Sequence, residues 1–230
     1  MASKKYSRRN LPPCPDPERY VLVKTEEGYF WRKKRGTLKA ATLNKTLARN
    51  NATAKITGPA ASRLLSVLEP YSTGIKKGRL TLQVAGLLMK TYHAKGHLDF
   101  SMLNGLELNA AYPLEKLLYT DYTVQQDKQT ISLRLKSGHV KAQNKLATDY
   151  FFEIVLLCGN PAGVKKLTVR TESSALYSFA VKKEQAVELE LPLPKAGIAW
   201  MLLLKVSCLE GPELGLHPKH YGMKVVKTGS

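Results

Sequence analysis

The chain has 230 residues, 43% hydrophobic and 23% charged, with 36 Lys and Arg against 18 Asp and Glu for a formal net charge of +18. That apolar fraction supports a packed core and excludes a wholly disordered chain, and no apolar run is longer than a strand, which excludes membrane insertion. The charge is lopsided: residues 1–95 carry 20 basic and 5 acidic side chains, residues 96–230 carry 16 and 13, so the front stores a repulsion that a polyanion would relieve.

Residues 1–19 read as a flexible, basic, proline-rich arm, because Leu11 is followed by Pro12, Pro13, Pro15 and Pro17. The same prolines leave no apolar stretch for a secretory signal. Tyr20 to Trp31 reads as a hairpin turning at Glu27-Gly28, and Arg32-Lys33-Lys34-Arg35 follows it at once. From about residue 38 the period lengthens. Thr57-Gly58-Pro59 predicts a helix start, with Ala61, Leu64, Leu65 and Leu68 on one face until Pro70 stops it. A second helix is expected from near Arg79 to Ala94, with Leu80, Val84, Leu87, Leu88 and Tyr92 aligned and Gly96 just past its end. Two such stripes must pack on each other, on the hairpin, on later strands or on a second copy.

After Gly96 the period shortens to two. Strands are expected at 120–126, 129–136, 150–157, 166–171, 176–181, 186–191, 198–206 and 221–226, separated by turns rich in Gly and Pro. The expected fold is therefore α+β: a basic N-terminal β-hairpin and amphipathic helices followed by an antiparallel Greek-key β-sandwich. The expected divisions are an arm 1–19, a hairpin plus helical region 20–96 and a sandwich 97–230.

Candidate chemistry is sparse. His93 and His97 lack the intervening glutamate of a zinc-protease helix, and His217 and His220 read as a surface loop without ligand neighbours, so no metal is expected. No nucleophile elbow and no phosphate-cradling glycine loop is present, and Glu188 and Glu190 alternate as the solvated side of a strand. The expectation is a non-enzymatic protein without cofactors. Cys14, Cys158 and Cys208 are odd in number and widely spaced, which suits reduced thiols in a cytoplasm, with Cys158 and Cys208 as buried small hydrophobes.

What remains is a constellation of cations and rings. Tyr20, Tyr29, Phe30 and Trp31 flank Lys24 and the run Arg32, Lys33, Lys34 and Arg35, which offers charges for phosphates and flat faces for bases. Lys39, Lys45, Arg49, Lys55, Arg63, Lys76, Lys77 and Arg79 reinforce it, with Lys4, Lys5, Arg8 and Arg9 in the arm. The plainer account of the same residues is a hairpin core with a solubilising edge. Two functions follow: binding of DNA or RNA through the backbone, or a structural or assembly role (phage, mobile element or large complex) in which the basic region docks an acidic protein surface and the chain forms homo-oligomers.

The stretch from Lys24 to Lys34, followed by Arg49-Asn50-Asn51 and by Gly58-Pro59-Ala60-Ala61-Ser62-Arg63-Leu64-Leu65, resembles a group of uncharacterised Bacteroidota proteins. A looser echo lies in Leu103 to Asn109. The resemblance implies architecture only: a basic, partly helical amino-terminal part before a strand-rich body.

Overall fold

The computed structural model describes residues 6–7, 10–34, 44–72, 77–163, 167–181, 183–215 and 217–230. The chain divides into two compact units, Met1–Arg49 and Asn50–Ser230.

In the first unit, strands β1 (Tyr20–Thr25) and β2 (Gly28–Lys33) form an antiparallel hairpin in which Thr25 faces Gly28. The turn residues are thus Glu26 and Glu27, and Gly28 opens the second strand. Its φ of +135° favours glycine, and a Cβ there would lie 2.7 Å from the Tyr6 carbonyl oxygen. That contact exists because Tyr6 and Tyr29 exchange backbone hydrogen bonds of 2.8 and 2.7 Å, so Tyr6 pairs with the outer edge of β2. Asp16 anchors the approach to β1: its Oδ1 accepts the Glu18 amide at 2.9 Å and its carbonyl accepts the Tyr20 amide at 2.9 Å.

Helix α1 (Lys45–Leu68) starts well before Thr57, where the sequence predicts it. The Asn44 side chain accepts the Leu47 amide at 2.8 Å, and the helix then runs through Pro59. A proline inside a helix removes one ladder bond and costs about 3 kcal/mol. The stripe that α1 buries, Thr53, Thr57, Ala60, Ala61, Leu64, Leu65 and Leu68, offsets that cost; its first two members are polar and therefore invisible to a search for apolar periodicity. Helix α2 (Lys77–Lys95) buries Leu80, Val84 and Leu88 and ends where Gly96, at φ +76°, returns its amide to the Tyr92 carbonyl at 2.9 Å. A one-turn helix α3 (Leu114–Leu117) precedes the sheets and was not legible in the sequence.

Strands β3 (Thr123–Gln126), β4 (Thr130–Lys136), β5 (Asp149–Cys158), β6 (Thr168–Ser173), β7 (Tyr177–Ser178), β8 (Ala186–Pro192), β9 (Trp200–Glu210), β10 (Glu213–Leu214) and β11 (Tyr221–Gly229) complete the second unit. One sheet carries β5 and β9 at its centre, with β6 and β7 on the free side of β5 and β10 and β11 on that of β9. The other is β3-β4-β8, all pairings in both sheets being antiparallel. The class is α+β with a strand-rich C-terminal part.

The central sheet is covered on both faces, which explains why β5 and β9 read as continuous apolar runs rather than alternating ones. Val155, Leu157, Met201, Leu203, Met223 and Val225 face α1 and α2. Phe152, Ile154, Leu156, Leu202, Leu204 and Val206 face Ile131, Leu133 and Leu135 of β4 and Val187, Leu189 and Leu191 of β8. Of the packing partners open to the helices, the structure uses each other and the later strands. Cys158 and Cys208 are buried as expected, and burial pushes the Cys208 thiol up to about 12. Among the described residues no helix is long and apolar enough to cross a membrane.

Candidate nucleic-acid interface

The register of the hairpin decides which side chains can act together. Directly opposed residues share a face and successive residues alternate. The pairs Tyr20 with Lys33, Leu22 with Trp31 and Lys24 with Tyr29 therefore put three rings and two ammonium groups on one face. Val21, Val23, Thr25, Phe30 and Arg32 occupy the other. The dense run read as one cluster is thus split by the pleat, Lys33 on one side and Arg32 on the other.

Lys24, Arg32 and Lys33 are exposed, whereas Tyr29 and Trp31 are half-buried. The Trp31 indole N–H donates to the Pro12 carbonyl at 2.8 Å, so the arm fixes the ring. Nothing in the sequence linked Pro12 to Trp31. Lys34, beyond the strand, gives its amide to the Arg19 carbonyl at 2.7 Å and its Nζ to the Pro17 carbonyl at 3.1 Å. Among the described residues no ion pair engages Lys24, Arg32 or Lys33, while Arg19 reaches Asp16 at 3.4 Å.

The other expected contacts are dispersed. Lys45, Arg49 and Lys55 are exposed on α1, and Arg79 is exposed near the start of α2. Arg63, half-buried, donates its guanidinium to the Gly163 carbonyl and so braces a loop. Lys55, Arg63 and Arg79 belong to the second unit. Arg35, Lys39 and Lys76 lie outside the described residues, as do Lys4, Lys5, Arg8 and Arg9 of the arm and the side chain of Lys77.

Two polar constellations in the second unit were not foreseen. His220, expected on a surface loop, is buried, its Nε2 2.8 Å from Glu210 and 3.1 Å from the Asn144 amide nitrogen. Gly215 makes room for it, since a Cβ there would stand 2.5 Å from the imidazole. The carboxylate neighbour comes from the end of β9, ten residues upstream, a distance at which local spacing carries no signal. The second lies where β11 meets α3: Lys224 bonds Glu115 at 2.5 Å and lies 3.6 Å from Glu107, whose other oxygen accepts the Leu114 amide at 3.0 Å. Burial raises the Glu107 carboxyl above its ordinary range against the pull of that amide and of Lys224. This ammonium is neutralised within the fold and fastens β11 to α3, so it offers nothing to a phosphate. Among the described residues no group of three His, Cys, Asp or Glu side chains is placed to hold a metal.

Comparison with protein-family models, with curated proteins and with solved structures finds no match in any of the three.

Proposed function

We propose that the chain is a non-enzymatic nucleic-acid-binding protein whose first unit meets the phosphate backbone through Lys24 and Lys33 on one hairpin face, with Arg32 on the other face and Lys34, Arg35, Lys39, Lys45 and Arg49 adding to the charge. The observation that carries this reading is the alternation of unpaired ammonium groups and half-exposed rings on one hairpin face. Residues 1–49 also hold 13 basic against 4 acidic side chains, half of the chain's net charge in about a fifth of its length. The strand-rich part acts as scaffold, with Arg134, Lys136, Lys205 and Lys224 held by acids of the same unit.

A second reading, docking of the same unit on an acidic protein surface within an assembly, is favoured by Val21 and Leu22, which stay 38% and 39% exposed on the hairpin. Affinity purification of the full chain with and without nuclease separates the two. Co-purifying nucleic acid released by nuclease is expected. A protein partner that survives the nuclease, or a large closed oligomer formed without nucleic acid, would favour the assembly role instead.

A further inference from the structure

Resting on the reading just given, we propose that the hairpin face of Tyr20, Leu22, Lys24, Tyr29, Trp31 and Lys33 takes single-stranded rather than duplex nucleic acid, with Tyr29 and Trp31 stacked on bases. The face offers rings, ammonium groups and one leucine; it has no Asn, Gln, Arg or carboxylate. A β-ribbon that reads a duplex in the major groove needs donors and acceptors matched to base edges, and the base faces there are already stacked on one another. A single strand presents those faces free, and stacking on aromatic side chains is how such strands are held without sequence preference.

Three features of the geometry agree. Tyr29 and Trp31 are two residues apart on β2, which places their Cα atoms about 6.8 Å apart, about twice the 3.4 Å rise between stacked bases. That spacing admits one base between the rings. Lys24 lies opposite Tyr29, and Lys33 follows Trp31 two residues on along β2, so the two stacking rings are flanked by a cation at either end for the phosphates that accompany the base, while Trp31 itself faces Leu22. Trp31 has spent its one polar group on the Pro12 carbonyl, which leaves its π surface as what it presents.

The rings also lack partners of their own kind. Among the described residues Tyr20, Tyr29 and Trp31 make no ring–ring contact, while Tyr150, Phe152, Tyr177 and Phe179 pack ring on ring in the second unit at 4.7 to 5.9 Å. No described residue of the first unit is buried, and a hairpin so open is marginal until something covers it. A layer of bases flanked by Lys24 and Lys33 would do so.

The test titrates the full chain against a labelled oligothymidylate of about twenty nucleotides, a duplex of equal length and polyglutamate, following anisotropy and Trp31 emission in a Trp200→Phe background. The single strand is expected to bind on the order of ten-fold tighter than the duplex and to quench Trp31. Trp31→Ala should weaken single-strand binding about ten-fold and duplex binding less than about two-fold. Trp31→Phe, which keeps a ring and loses the bond to Pro12, should stay near the parent. Equal affinity for the two forms with no effect of Trp31→Ala would overturn this inference and leave backbone binding standing. Equal losses in both Trp31 variants would overturn stacking in favour of the arm contact. Binding of neither nucleic acid would overturn both readings, and binding of polyglutamate alone would assign the face to an acidic protein.

Discussion

The two units of this chain solve opposite problems. Residues 50–230 bury both faces of a central sheet and tie part of their charge into ion pairs: Lys205 with Glu153 at 2.9 Å, Arg134 with Glu188 at 2.8 Å, Lys95 with Asp99 at 2.6 Å. The described part of residues 1–49 buries no side chain fully and leaves Lys24, Arg32 and Lys33 without an acid. On the proposed function, the half-open rings and unpaired cations of this region meet a partner outside it. On that reading stability and recognition are divided along the chain, so substitutions should separate the two readouts.

The largest effect should come from breaking the buried pair. Glu153→Gln strands the Lys205 ammonium between β5 and β9 and should cost about 3–5 kcal/mol in chemical denaturation with nucleic-acid binding per folded molecule unchanged. A loss no larger than that of a surface change would show that the pair is not desolvated. Leu203→Ala opens a cavity beneath the helices and should cost about 2–5 kcal/mol, while Phe30→Ala on the hairpin should cost about 1 kcal/mol or less. Equal losses would mean that the hairpin shares the core's stability and would erase the contrast.

Gly28→Ala sharpens the comparison from the other side. It places a methyl against the Tyr6 carbonyl at a φ that disfavours it, so the arm should leave β2. Amide exchange at Tyr6 and Tyr29 should accelerate while the amides of β5 and β9 keep their protection; unchanged exchange at Tyr29 would refute the edge contact. The smallest effect concerns Asp99. Burial alone would raise its carboxyl, but the Lys95 ammonium and the Ser101 hydroxyl and amide together hold it below the ordinary range. A folded value below the unfolded one adds stability above the ordinary carboxylate range, and that stability is lost as pH falls through the folded value. The stability gap between the parent and Asp99→Asn should therefore narrow on acidification, and a gap constant with pH would contradict the assignment.

Much of the second unit could be read from the chain because its signals are local. The alternation of Ile131, Leu133 and Leu135 gave β4, and the apolar runs gave β5 and β9 within a residue or two at most ends. The start of α1 was hidden by Thr53 and Thr57, polar side chains that are nonetheless buried, and by Pro59, which reads as a first-turn residue. Hidden too was the division of the basic run: Arg32 and Lys33 are neighbours in sequence and on opposite faces in space, a fact that only the register supplies. The bonds from Trp31 to Pro12 and from His220 to Glu210 join segments that no periodicity connects.

The most direct measurement of the central claim is the salt dependence of nucleic-acid binding by the full chain and by its Lys24→Ala, Arg32→Ala, Lys33→Ala triple variant. Contact with about six phosphates gives a log–log slope of about −5 on duplex DNA, and the variant should flatten it by about two to three while folding as the parent does. A slope that is already flat in the parent, or one that the three substitutions leave unchanged, would contradict the account.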